Sequence, residues 1–232
     1  GRRGLALRRL NHVYVGTSDS AYHGSLDSPR ATYAEVEELL AMVQDCFPKA
    51  GLRLDDVRAT WAGIRPLIQE PGKSTRDTSR QDQVWAHTPG LVTVSGGKLT
   101  TYRPMARRTL AAVARQLGGD PPRPDRSADV PLPGGGLEGQ DPEAYREARA
   151  QVLMARGVAP VTAARLTWLY GRQLDDLIAL ADRDPNWLEP LHPDVPAVRG
   201  EALLAVQGEM AATLIDFMDR RAALLIFSPE QG

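Results

Sequence analysis

The sequence is short of several things, and each shortage closes a door. A single cysteine, Cys46, stands among 232 residues, so no internal disulfide can form, and such usage fits a reducing, cytoplasmic setting. No apolar run approaches the roughly 20 residues of a membrane-spanning helix, and no signal-peptide pattern stands at the start. Charge of one sign is missing too. The 28 lysines and arginines against 29 aspartates and glutamates leave a formal net charge of -1, which argues against nucleic acid or any other polyanion as partner. The four histidines, His12, His23, His87 and His192, keep no ligand spacing with one another or with Cys46, which argues against a metal site. Cys46 falls within a helical pattern, where buried packing is the expected role rather than nucleophilic chemistry.

What remains is the composition of an ordinary globular protein, 42% hydrophobic and 25% charged, long enough to bury a core. The first nine residues are basic and lack an initiating Met, and residues 10–15 already read as a strand, so the chain reads as opening inside a fold whose earlier part is absent. Gly16-Thr17-Ser18-Asp19 breaks that strand. Thr32-Tyr33-Ala34-Glu35 matches a capping box and predicts a helix to about Phe47, with Val36, Leu39, Leu40, Val43 and Phe47 on one apolar face. Residues 57–67 alternate like a strand and include Arg65 directly before Pro66, where the backbone is pushed toward extended geometry. A polar stretch, 69–83, carries Lys73, Arg76 and Arg80. Loops of that length are often functional, and a solvated surface loop serves equally well as an explanation.

The chain is organised around the segment that follows. Two predicted strands, 83–87 and 91–95, joined at Thr88-Pro89-Gly90, feed Ser95-Gly96-Gly97-Lys98-Leu99-Thr100-Thr101-Tyr102-Arg103. Glycines there permit torsions and close approaches that side chains forbid, and the helix start behind them presents unpaired N–H groups to an electron-rich ligand. A plain tight turn accounts for the glycine pair as well. The helix is expected to have its N-cap near Thr101, Pro104 in its first turn, and an end near Leu117. Met105, Leu110 and Val113 should face inward, with Arg107, Arg108 and Arg115 on a solvated face. Residues 119–136, rich in proline and glycine, form a linker between an α+β part, 1–118, and a helical C-terminal domain, 137–232. In that domain helices are expected at about 141–156, 160–170 and 173–181, and after a proline-rich loop a last one over 199–226, bent at Gly208. Leu203, Val206, Met210, Leu214, Phe217 and Met218 make its stripe, and Asp216 with Arg220 makes a surface pair.

Taken in order, Gly63-Ile64-Arg65-Pro66-Leu67, Ser79-Arg80 and Gly96-Gly97-Lys98-Leu99-Thr100-Thr101-Tyr102-Arg103 resemble the FAD-dependent glycerol-3-phosphate dehydrogenase family. The resemblance extends to Gly16-Thr17-Ser18-Asp19, Pro131-Leu132-Pro133-Gly134-Gly135, Glu209-Met210-Ala211, Asp216-Phe217 and Arg220-Arg221. It implies the later part of a FAD-dependent oxidoreductase fold followed by an all-α domain, and oxidation of sn-glycerol 3-phosphate to dihydroxyacetone phosphate with electrons leaving to a quinone. It implies Arg65 as a phosphate ligand and catalytic residue, Arg80 as the second phosphate ligand with Arg76 as the weaker choice, and Lys98 as positive charge beside flavin or substrate. Gly96, Gly97, Lys98, Leu99 and Thr100 are the implied FAD contacts, and no histidine matches a base. The glycine-rich FAD-binding βαβ unit of the family has no counterpart here, so the missing N-terminal segment is an implied partner and the chain alone is expected to be inactive. Peripheral attachment to the inner membrane face and a homodimer are both compatible with the resemblance. An oxidase that passes electrons to oxygen, and a non-catalytic helical interaction module on the same scaffold, remain open beside it.

Overall fold

The computed structural model describes residues 4–9, 12–65, 67–68, 81–120 and 125–228. It is α+β, with helices outnumbering three small antiparallel two-stranded sheets among the described residues. The chain divides into two compact units. One comprises Gly1–Ser18, Ala31–Trp61 and Pro131–Gly232, and the other comprises Asp19–Arg30 and Ala62–Val130.

The first unit opens with a hairpin, β1 (Leu5–Arg9) against β2 (His12–Gly16). The first strand lies in the stretch noted only as basic, because arginines on an exposed strand conceal its alternation. Helix α1 (Tyr33–Cys46) starts at Thr32, whose hydroxyl accepts from the Glu35 N–H while the Glu35 carboxylate accepts from the Thr32 N–H, the expected capping box. Val36, Leu39, Leu40 and Val43 form its least exposed face. Phe47 is exposed instead, since the helix ends before it, and Cys46 is exposed rather than packed. Residues 57–65 hold no strand. Their alternation finds no ladder partner among the described residues, and without one the pattern has nothing to pair with. Trp61 packs edge-on against Tyr14 with ring centroids 5.1 Å apart.

The rest of this unit is helical. Asp141 caps α3 (Pro142–Ala155) by accepting from the Glu143 and Ala144 N–H groups. Helices α4 (Pro160–Tyr170) and α5 (Leu174–Arg183) follow, and Leu153, Leu166, Leu174 and Leu177 meet with no exposed surface. Where a proline-rich loop is expected, β5 (Pro190–His192) pairs with β6 (Val195–Val198). Pro190 takes the first position of its strand, where the ladder tolerates a missing N–H.

The single C-terminal helix is not formed. Three pieces replace it, α6 (Gly200–Gly208), α7 (Leu214–Met218) and α8 (Leu224–Phe227). Met210 and Ala223 adopt left-handed torsions, and Thr213 with Asp216 builds a second capping box that restarts the chain. Val206, Met210 and Leu214 are therefore exposed while Phe217 is buried, so the stripe does not form one face. The expected Asp216–Arg220 ion pair is present.

In the second unit, β3 (Gln83–Thr88) and β4 (Leu91–Ser95) form a hairpin against which α2 (Tyr102–Gln116) packs. Gln116, at the end of α2, holds the hairpin turn. Its Oε1 accepts from the Gly90 N–H at 2.7 Å, and its Nε2 donates to the carbonyls of Thr88 at 3.1 Å and Leu91 at 3.2 Å. Leu110 is exposed rather than inward.

Candidate functional site

Between β4 and α2 the chain makes the expected glycine turn. Gly96 and Gly97 have φ of +77° and +83°, a region that carries a steric cost for any residue with a Cβ. At Gly96 the backbone also leaves no room for a side chain, and at Gly97 a side chain would displace Met105. A Cβ on Gly96 would lie 2.7 Å from the Gln81 carbonyl oxygen and 3.0 Å from Ile68 Cδ1, and one on Gly97 would lie 2.4 Å from Met105 Sδ and 3.3 Å from Asp82 Cβ. The glycines thus let the segments around Ile68, Gln81 and Met105 close on the turn.

Lys98 is extended, and its backbone is tied down by Thr101. Its N–H donates to Thr101 Oγ1 at 3.2 Å, and its carbonyl accepts from the Thr101 hydroxyl and N–H, each at 2.9 Å. A single 3₁₀ turn, Leu99–Thr101, then leads into α2 with Thr101 as its N-cap residue and Pro104 in the first turn. No acceptor meets the Gly97 N–H, and no carboxylate pairs with the Lys98 ammonium, among the described residues. Leu99 and Thr100 stand exposed at the start of the turn.

A small cleft of about 320 Å3 is lined by Lys98, Thr101, Pro104, Gln81, Asp82 and Arg108. Arg108, expected on a solvated face, reaches Asp82 with two donors. Its Nε lies 2.9 Å from Oδ2, and its terminal nitrogen bonds Oδ1. The hydrogen bonds and charge of Arg108 hold the Asp82 carboxyl below its usual range. Arg103 is bound in turn to Ser127 Oγ at 2.9 Å and to Asp125 at 3.4 Å.

Arg65 donates from one terminal nitrogen to Asp19 at 2.8 Å, and both side chains stay more than a third exposed. Two separately noted segments, the one ending in Asp19 and the one carrying Arg65, are joined by this pair. A lone carboxylate at the end of a turn gives no signal of it. Arg65 makes no hydrogen bond to the glycine turn among the described residues, but Ile68, three residues on, touches Gly96. Three residues span at most about 11 Å, which confines Arg65 to the neighbourhood of the turn. Arg76, Arg80 and Lys73 lie outside the described residues, as does Pro66.

Among the described residues, the arrangement offers a backbone N–H without an acceptor and an ammonium without a carboxylate at one turn, with a guanidinium on the segment alongside. That set suits an anionic or electron-rich ligand, and the polar edge of a flavin is one. No group of acid, cysteine and histidine side chains among the described residues could hold a metal ion, and no helix among them is long and apolar enough to cross a membrane.

Residues 1–103 match the family described as FAD dependent oxidoreductase, and residues 126–232 match the C-terminal domain of alpha-glycerophosphate oxidase. The aerobic glycerol-3-phosphate dehydrogenase of Bacillus subtilis (strain 168) is 32% identical over 235 residues, which cover 98% of this chain and 41% of the relative. That of Staphylococcus aureus (strain USA300) is 32% identical over 232 residues with the same coverage. Among solved structures, the glycerol-3-phosphate dehydrogenase from Bacillus halodurans complexed with FAD superimposes with a TM-score of 0.74 at 31% identity, over 94% of this chain and 41% of that one. The chain thus spans about two fifths of the length of these relatives.

Proposed function

We propose that the chain, whose residues 1–103 match the FAD dependent oxidoreductase family and whose residues 126–232 match the C-terminal domain of alpha-glycerophosphate oxidase, supplies one wall of the site at which sn-glycerol 3-phosphate is oxidised to dihydroxyacetone phosphate. The observation that carries this reading is the glycine turn, whose Gly97 N–H and Lys98 ammonium find no partner among the described residues, beside the segment that bears Arg65. The hydride acceptor would be supplied by a bound flavin. The chain's own residues do the rest. The turn at Gly96 and Gly97, with Lys98, Leu99 and Thr100, holds the polar edge of the cofactor, and Lys98 offsets the negative charge that develops there. Arg65 uses only one donor on Asp19, which leaves the rest of its fork to grip a phosphate dianion together with Arg80, or with Arg76 from the same segment. The carboxylate of Asp19 fixes the guanidinium until substrate arrives.

A dinucleotide-binding βαβ unit from further chain completes the flavin site in this reading, and the 232-residue chain alone binds FAD poorly and turns nothing over. The stretch 119–136 separates the part that touches flavin from the helical domain. Electrons leave to a quinone at the cytoplasmic face of a membrane to which the protein is peripherally attached. A second reading has a specific observation behind it, since the C-terminal match is named for an oxidase. Anaerobic addition of glycerol 3-phosphate to the FAD-loaded protein that contains this chain tests the substrate: the flavin's visible absorbance should bleach, and unchanged absorbance rejects the proposal. Reoxidation by a soluble quinone in preference to oxygen, without peroxide, then separates dehydrogenase from oxidase.

A further inference from the structure

Beside the Gly96-Gly97 turn sits a carboxylate that ought to spoil it. Asp82 lines the same cleft as Lys98, its segment lies against the turn with Asp82 Cβ 3.3 Å from the place a Gly97 Cβ would take, and its side chain is only 8% exposed. A carboxylate that little hydrated needs a cation close by. Two are within the cleft, Lys98 and Arg108. The structure binds both oxygens of the carboxylate to Arg108, through Nε to Oδ2 at 2.9 Å and the terminal nitrogen to Oδ1, while the Lys98 ammonium pairs with no carboxylate among the described residues.

We propose that Arg108 is a positioning residue whose two-pronged hold on Asp82 keeps that carboxylate off Lys98 and so leaves the Lys98 ammonium uncommitted in the cleft. The planar fork matches both carboxylate oxygens at once, which a lysine ammonium cannot do, so Arg108 outcompetes Lys98 for Asp82. With Asp82 neutralised, the cleft keeps one net positive charge, carried by a side chain whose backbone Thr101 already holds. The inference builds on the proposed role of Lys98 beside flavin, but the state of Lys98 can be read without flavin or turnover.

The chain has only three lysines, Lys49, Lys73 and Lys98, so trace acetylation followed by mass spectrometry reports each amine separately, with exposed Lys49 as the internal standard. In Arg108→Gln the freed carboxylate should capture Lys98 and slow its acetylation about two- to fivefold, the range expected of a partly exposed ion pair. Adding Asp82→Asn to that variant should restore the native rate. Lys98 labelling that does not change in Arg108→Gln, or that slows with and without Asp82 alike, overturns the proposal. Asp82→Asn alone keeps the test alive if the arginine variant does not fold. Its Lys98 rate should equal the native rate, and an increase would show that Asp82 engages Lys98 already and would overturn the proposal. Slower, Asp82-dependent labelling in a protein whose flavin is not reduced by glycerol 3-phosphate would leave this device standing and reject the catalytic reading instead.

Discussion

The two units of the chain are held together by different physics. In the unit that contains the C-terminal helices, Leu153, Leu166, Leu174 and Leu177 have no exposed surface, and Glu201, 1% exposed, accepts from Arg165 at 2.8 Å, from Tyr170 at 3.1 Å and from the Val198 N–H at 2.7 Å. No described residue of the unit formed by Asp19–Arg30 and Ala62–Val130 is fully buried. Leu91, Leu99, Leu110 and Leu117 are all exposed there, and polar ties carry the structure: Gln116 on the hairpin turn, Arg108 on Asp82, Arg103 on Asp125 and Ser127. The unit with the candidate site has its chemistry in open view and little core behind it. The unit without that site holds the buried apolar mass. Such a split fits a scaffold that is stable by itself joined to a site-bearing part that gains order from what binds it.

The sharpest way to break that contrast is to remove the same side chain from both units. Leu166→Ala should cost about 2–5 kcal/mol in denaturant unfolding, because it deletes a fully buried side chain and leaves a cavity. Leu110→Ala, on an exposed position, should stay within about 0.5 kcal/mol. Equal costs would mean that the site-bearing unit has a core after all. A smaller effect sharpens the picture of the helical unit. Burial first, and then the charge of Glu201, push the Tyr170 phenol above its ordinary range. A group with a raised folded pKa contributes stability that is complete below the unfolded value, about 10, and is lost as pH rises beyond it. Stability should therefore fall above roughly pH 10, by at most about 1.4 kcal/mol per pH unit from this one group, and Tyr170→Phe should remove that part of the slope. An unchanged slope in the variant would show that the phenol is hydrated in the fold.

Much of the fold is readable from local chemistry. Thr32 with Glu35, Asp141 with Pro142, and the Gly96-Gly97 pair announce α1, α3 and the turn before α2, because each signal is satisfied by atoms a few residues away. The misreadings share a cause. Residues 57–65 alternate but lack a partner strand, β5 and β6 form despite their prolines, and the C-terminal stripe is cut at Met210 and Ala223, so tertiary surroundings decided all three. The break did leave a trace. Thr213-x-x-Asp216 is a capping pattern that marks a helix start in the middle of the expected helix. At the candidate site, the turn could be read from glycine spacing, whereas the Arg65–Asp19 pair and the Arg108–Asp82 pair could not. Their partners lie 46 and 26 residues apart, and nothing local in the sequence couples them.

In the proposed function Arg65 and the glycine turn serve one site, the arginine gripping phosphate while the turn holds flavin. That reading is tested most directly by titrating glycerol 3-phosphate against the FAD-loaded protein containing this chain, anaerobically, in native form and as Arg65→Glu. The reversed charge should leave FAD bound but raise the substrate concentration needed for half-bleaching at least tenfold, the loss of about one charge-assisted phosphate contact. Half-bleaching at the same concentration in both proteins would contradict that reading.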